Sequence, residues 1–304
     1  MNVLHFDEVD DSQMTELMLA CFDHAYSKDH IENLVSSDKR MPSWGGELYA
    51  EEDGRLLGCV GMLYPRAKIS REVRKVGGIR NVCSRPSESR SGFIKELLQK
   101  AHKRMEEKVD ISFLMTSKST VAYNLYKKLG YDTVHVPPKA YKEVVERDTE
   151  IEFSDEADPE YMRSLYTDSV ESLSGLVVRE EDFFDMAEAR GWPDNDNVKT
   201  AYKDGERIGY AMYETSRNSL SVKEFAAEKG EETDLLHAFE AESERDYIVL
   251  SYVNPFYRGL LEDMGYSWHQ DLWYRVMVKD LNDGQNILSE EDRANFHAGI
   301  YETY

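Results

Sequence analysis

Residues 77–98, G-G-I-R-N-V-C-S-R-P-S-E-S-R-S-G-F-I-K-E-L-L, and residues 119–131, S-T-V-A-Y-N-L-Y-K-K-L-G-Y, decide how this chain is read. Residues 76–84 form a strand candidate, and the small-residue turn after Pro86 opens a helix. Phe93, Ile94, Leu97, Leu98, Ala101 and Met105 lay the apolar stripe of that helix. A compact buried strand follows at 111–115. Val121, Ala122, Leu125 and Leu129 then make the inner face of a short helix that stops at Gly130.

On the N-terminal side, residues 3–6 read as a short strand and Ser12 as an N-cap. Met14, Leu17, Met18, Cys21 and Phe22 recur at helical spacing behind it. Residues 47–52 and 56–64 flank Asp53-Gly54, a dipeptide suited to the hairpin turn whose twist matches its strands. On the C-terminal side, strands at 133–136 and 141–145 are expected to close a first domain.

The second half repeats the first. Residues 198–202, Asp204-Gly205 and 208–213 copy the hairpin, 220–225 the long strand, 233–244 the helix and 247–253 the buried strand. L-L-E-D-M-G-Y at 260–266 echoes L-Y-K-K-L-G-Y at 125–131. The expected organisation is one domain over 1–147, a second of the same fold over 148–281, and a tail at 282–304. The fold class is α/β in the α+β sense, each domain a mixed, mostly antiparallel twisted sheet flanked by helices.

The turn at 84–94 carries the chemistry. It places the hydroxyls of Ser84, Ser87, Ser89 and Ser91 with Arg85, Arg90 and Gly92 between a strand and a helix. Backbone N–H groups at a helix start lack partners and carry the positive end of the helix dipole, so such a turn suits a pyrophosphate; a plain helix cap is the other reading.

The whole stretch resembles the GNAT superfamily of acetyl-CoA-dependent N-acetyltransferases. That superfamily's phosphate turn, Arg/Gln-x-x-Gly-x-Gly/Ala, is matched by Ser89-Arg90-Ser91-Gly92-Phe93-Ile94, with Ser89 and Ile94 off the pattern. Its later helix is matched by Ser119, Ala122, Leu125, Tyr126, Gly130 and Tyr131. More narrowly, E-L-Y-A-E-E-D-G-R-L-L-G (47–58), the 77–92 turn and M-E-E-K-V-D-I-S-F-L-M (105–115) are similar to the Eis-type (enhanced intracellular survival) branch. In that branch a catalytic GNAT domain precedes a degenerate one and a sterol-carrier-like third domain usually follows; with residues 282–304 remaining, that domain is expected to be absent or reduced to a tail.

The resemblance implies acetyl-CoA as co-substrate, no metal, and an amine acceptor, small molecule or peptide. It implies that the backbone of Val82, Cys83 and Ser84 holds the pantetheine and polarises the thioester, and that Ser89 to Ile94 and Ser119 complete the cofactor site. Tyr126 would protonate the departing thiolate. Many GNAT enzymes carry a glutamate base on the long strand where this chain has Arg80. The Eis-type branch instead implies a terminal carboxylate, here that of Tyr304. His24 and His135 are lone relay candidates. The second half has acids at the matching turn, A-E-K-G-E-E-T-D (227–234), and is expected to bind no CoA. Two alternatives stay open: a non-catalytic acyl-CoA-binding or regulatory protein, and a tandem enzyme acylating a small amino-acid or thiol conjugate.

Composition narrows the partners. Among 304 residues, 59 Asp and Glu against 37 Lys and Arg give a formal charge of −22, which repels nucleic acid and anionic membranes and attracts cationic solutes; solubility is the plainer reading of it, ahead of steering amines. The three cysteines, Cys21, Cys59 and Cys83, are odd in number and widely spaced in sequence, which points to a reducing compartment. An acidic N-terminus and the lack of any long apolar run predict a cytoplasmic protein, with self-association into a homo-oligomer left open.

Overall fold

The computed structural model describes every residue except 23–26, 89–90, 146–147, 191–196, 283–286 and 303–304. The chain divides into two compact units, Met1–Val134 with Arg275–Ser289, and His135–Tyr274 with Glu290–Tyr304.

The first unit is built on a seven-stranded mixed sheet. Its order is Asn2–Leu4, Glu47–Glu52, Arg55–Leu63, Gly77–Ser84, Ile111–Ser117, Tyr274–Asp280 and Asp132–His135. The hairpin at Asp53-Gly54 forms as expected, with φ of 51° and 77° at the two turn residues, the left-handed pair that lets two strands return with matched twist. One face of the sheet is covered by the helices Asp11–Phe22 and Lys28–Ser37. Met14, Leu17, Met18 and Ile31 pack there on Tyr49, Leu56, Cys59 and Cys83. The other face carries the helices Phe93–Glu106 and Val121–Lys128, whose Leu97, Leu98, Ala101, Met105 and Tyr126 bury against Leu48, Val60, Met62 and Leu114.

The second unit has a seven-stranded mixed sheet in the order Glu152–Ser154, Val198–Lys203, Glu206–Thr215, Ser219–Ala227, Tyr247–Ser251, Pro138–Glu143 and Ser267–Gln270. Its second hairpin turns on Asp204-Gly205, again with φ of 53° and 81°. The helix Glu232–Glu242 packs Leu235, Leu236 and Phe239 on this sheet, and Pro159–Ser169 contributes Met162 and Leu165 to a separate cluster. A parallel pair, Ser174–Leu176 with Phe296–Ala298, belongs to the same unit.

The two strand orders match place for place, and in each the sixth strand comes from the far part of the chain. Pro138–Glu143, expected among the closing strands of the first domain, pairs antiparallel with Tyr247–Ser251 and with Ser267–Gln270. Lys142 on it ends up buried, its ammonium 2.8 Å from Glu240, a pairing open to it only in the second sheet. In return Tyr274–Asp280 enters the first sheet, where Met277 and Leu281 join the core. Position 147, the expected boundary, thus falls beyond the start of the second unit at His135. Of the segment read as a tail, residues 290–304 belong to that unit, with a helix at Glu290–Ala294 and a strand at Phe296–Ala298.

Candidate active site

The long strand Gly77–Ser84 runs parallel to Ile111–Ser117 over three pairs, Gly77 with Ser112, Gly78 with Phe113 and Ile79 with Leu114. Among the described residues the register of the two strands ends at Ile79, so residues 81–84 lie beyond that ladder. On its opposite edge the strand pairs with Arg55–Leu63, but the register shifts: Gly61 faces Arg80 and Cys59 faces Cys83, so Asn81 and Val82 together oppose Val60. This is a β-bulge, and Asn81 sits in it at φ 47°, a left-handed value uncommon outside glycine.

The strand then leads through a 3₁₀ turn, Pro86–Glu88, to Gly92. Gly92 is the N-cap of Phe93–Glu106, at φ 95° and with no side-chain capping bond. Lys95 and Glu96 donate back to the Gly92 carbonyl, and the N–H groups of Phe93 and Ile94 stand at the positive end of a 14-residue helix dipole. Ser91 is exposed and its hydroxyl donates to the Glu88 carbonyl at 2.7 Å. Arg85 turns inward: Nε donates to the Leu56 carbonyl at 2.7 Å and Nη1 to Glu16 at 2.8 Å, which gives it a structural rather than a phosphate-facing position.

Val82, Phe93, Ile94 and Tyr126 belong to one apolar cluster. Cys83 points to the opposite face, toward the helix Asp11–Phe22. Ser84 offers its carbonyl to the Cys21 thiol at 3.5 Å. Ser119 lies exposed just before the helix Val121–Lys128, its hydroxyl 2.8 Å from that of Ser117. Ser89, Arg90, Tyr304 and His24 lie outside the described residues. His135 is buried in the second unit against Phe296 and His297, and burial lowers it to about 4.

Tyr126 is 5% exposed, while Val121, expected on the inner face of the same helix, is 70% exposed. The helix is rotated so that Ala122, Leu125, Tyr126 and Leu129 face the core, and the aromatic ring displaces the smaller valine from it. Burial raises the Tyr126 phenol well above its ordinary value, so it holds its proton through the neutral range. Its ring meets that of Tyr131 edge-on at 6.0 Å. Tyr131 is in turn fixed by Ser112 Oγ at 2.7 Å and His102 Nε2 at 2.9 Å. Burial and the nearby Lys279 lower His102 to about 4, so it stays neutral here.

Two features escape a sequence reading. All three cysteines converge although they are remote in sequence: Cys59 and Cys83 face each other across two strands with sulfurs 3.6 Å apart, and Cys21 reaches the same cluster from its helix. Glu47 is fully buried and bonded to the bulge, although E-L-Y-A-E-E reads as a strand with its acids outward. Cysteine spacing and acid content alone carry no signal for either.

Residues 5–134 match the family model described as an acetyltransferase (GNAT) domain. No curated protein matches the chain. Among solved structures, it is similar to a probable N-acyltransferase from Enterococcus faecalis at 16% identity and TM-score 0.68, covering 92% of this chain and 72% of that one. A GCN5-related N-acetyltransferase from Kribbella flavida gives 15% identity, TM-score 0.67 and the same coverages. Eis1 from Mycobacterium abscessus gives 13% identity and TM-score 0.63, over 93% of this chain and 74% of that one. These likenesses establish the fold, and the matched segment contains the bulged strand, the Gly92-capped helix and the Tyr126 helix: the first unit of this chain is a GNAT acetyltransferase domain.

Proposed function

We propose that the chain is an acetyl-CoA-dependent N-acyltransferase whose acceptor is a small-molecule or peptide amine, acting in the cytoplasm. The observation that carries this reading is the end of the parallel ladder before the Asn81–Val82 bulge, on the strand that leads to a long helix with glycine at its N-cap. Pantetheine is amide-rich and extended, and it would add to the open edge at 82–84 as a strand would. The pyrophosphate would take the helix N–H groups around Gly92, Phe93 and Ile94, with Ser91 and Ser119 as further contacts.

In this reading the neutral amine attacks the thioester carbonyl carbon, and the oxygen's developing charge is met by backbone N–H groups of the bulged strand. The carbon–sulfur bond then breaks, Tyr126 gives its proton to the thiolate of CoA, and the proton shed by the amine is passed to solvent, from which Tyr126 takes one back. The net charge of −22 favours approach of cationic acceptors.

The test is release of free CoA thiol from acetyl-CoA across polyamines, aminoglycosides and lysine-containing peptides, beside calorimetric binding of acetyl-CoA. Turnover with at least one amine is expected. Tight acetyl-CoA binding with no turnover across the panel would reassign the chain as an acyl-CoA-binding module, and no binding at all would overturn the cofactor site.

A further inference from the structure

Three residues stand in line across three neighbouring strands: Glu47 pairs with Gly61, and Gly61 with Arg80. Glu47 is 0% exposed and Arg80 5%. A Cβ on Gly61 would lie 2.9 Å from Arg80 Cγ, so the missing side chain is what lets Arg80 cross the middle strand and reach Glu47. The Glu47 carboxylate accepts from Arg80 Nη2 at 3.1 Å, from Asn81 Nδ2 at 2.8 Å and from the Tyr49 hydroxyl. The Asn81 carbonyl accepts from the Cys59 thiol at 3.0 Å. The one left-handed non-glycine residue of the long strand is thus held by side chain and main chain at once.

A carboxylate bonded to three donors and sealed from water is not a proton acceptor for an incoming amine. We propose that Glu47 is a positioning residue, which through Arg80 and Asn81 locks the β-bulge in the conformation that presents residues 82–84 to the acyl-CoA thioester. Arg80, off-pattern for a catalytic base, is accounted for as the arm of this clamp. Asparagine tolerates the left-handed region better than most residues but still at a cost, and strain of this kind persists only where the surroundings over-determine it. Glu47 supplies that determination. The inference rests on the acyltransferase reading for its functional consequence, but the clamp is testable without turnover.

The experiment compares Glu47→Ala, Glu47→Gln and Glu47→Ala with Asn81→Gly, in the full chain. Hydrogen exchange of the unliganded protein reads the clamp: Glu47→Ala is expected to speed exchange at 81–84 by tenfold or more over that at 77–79. The double variant is not expected to regain this protection. Kinetics read the consequence: Glu47→Ala lowers kcat/KM for acetyl-CoA about a hundredfold. Adding Asn81→Gly restores at least tenfold, because glycine reaches the positive φ unaided. A merely structural Glu47 would instead make the double variant worse, since Asn81→Gly removes a further side chain. Unchanged exchange at 81–84 in Glu47→Ala, or no rescue in a cooperatively melting double variant, overturns the proposal. If Glu47→Ala does not fold, Glu47→Gln carries the test with a loss of about tenfold, and its full activity would overturn the proposal equally. A parent protein that neither binds nor turns over acetyl-CoA, yet shows the exchange effect, would count against the acyltransferase reading and not against the clamp.

Discussion

Gly92 and Gly230 occupy matching turns, each between a strand end and a helix start, each at φ 95°, and no described residue lies within 4 Å of where a Cβ on either would point. Their surroundings differ. Neither helix has a side-chain cap: Gly92 is itself the N-cap of the first, and Gly230 precedes Glu231, the N-cap of the second. At Gly230 the N–H donates to Glu232 at 3.0 Å, and Lys203 ties down Glu231 at 2.9 Å and Asp234 at 2.6 Å. The second turn thus carries a carboxylate of its own, that of Glu232, on its glycine amide. A shared backbone therefore does not make a shared site, because carboxylates in the turn compete with any anion for the same donors.

The same contrast holds at the later helix. Tyr131 and Tyr266 follow the matching glycines Gly130 and Gly265, and both are buried with their hydroxyls on a partner, His102 and Ser112 in one case and Glu240 in the other. Five residues earlier the copies diverge: Tyr126 has Leu261 at its matching place. The largest effect is expected there. Tyr126→Phe should lower kcat with an amine acceptor by about 10²–10⁴-fold, the range for loss of a general acid, with little change in Tm. Leu261→Tyr should add no activity. Steady-state rates and thermal melts read both, and wild-type turnover in Tyr126→Phe would remove the acid from the first unit.

The second-largest effect concerns what fills the second sheet. There Glu224, on the strand matching the long strand of the first unit, accepts from Arg179 Nη1 at 2.8 Å and from Tyr210 at 2.6 Å. Arg179 Nε also holds Glu302 at 2.6 Å. The guanidinium lies 3.4 Å from the Tyr166 ring centre, fully enclosed. Arg179→Met would leave two buried carboxylates without their counter-charge, at a cost of about 3–5 kcal/mol. Urea unfolding should show that loss, while acetyl-CoA affinity, set in the first unit, should hardly move. A loss under about 1 kcal/mol would mean the cluster relaxes or admits water.

Acid should also separate the two units. Burial holds His102 of the first unit at about 4, and His135 and His297 of the second at about 4 and about 3. Each lies below the ordinary histidine value of about 6.5, so the unfolded chain binds the proton first as pH falls. Each histidine then costs stability as pH drops from about 6.5 toward its folded value, by at most about 1.4 kcal/mol per pH unit, and no more below that. With two such groups against one, the second unit should lose protection earlier between pH 7 and 5. Hydrogen exchange corrected for intrinsic rates would show it, and earlier loss in the first unit would contradict it.

What the sequence made legible follows the reach of local patterns. Asp53-Gly54 and Asp204-Gly205 announced their hairpins because turn chemistry is decided within two residues. The helix after Gly92 announced its apolar stripe because that pattern is periodic. Even the tight packing of each helix on its strand left a trace: Gly58 and Gly209 stand where a Cβ would collide with a neighbouring carbonyl, of Cys83 or Ala226, and with the helix side chain Phe93 or Leu235. The exchanged sixth strands left none, since the residues that select them, such as Glu240 for Lys142, lie about a hundred positions away. Burial of Glu47 was hidden for the same reason: its partners Arg80 and Asn81 come from a strand two places over, and alternation alone assigns an acid to water.

The smallest expected effect returns to the two glycines and is the cleanest test of their difference. No described residue crowds either, so Gly92→Ala and Gly230→Ala are expected to differ from the parent by backbone strain at φ 95°, about 1 kcal/mol of stability in each case. On stability the two variants should be indistinguishable. On binding they should part: Gly92→Ala shifts the first helix amides and should weaken acetyl-CoA by about three- to tenfold, because about 1 kcal/mol of displaced hydrogen bonding corresponds to roughly that factor. Gly230→Ala should leave the affinity where it was, since its amide is already spoken for by Glu232. Calorimetric titration of both variants reads this directly, and an equal loss in the two would mean that the second turn, acids and all, takes part in holding the cofactor.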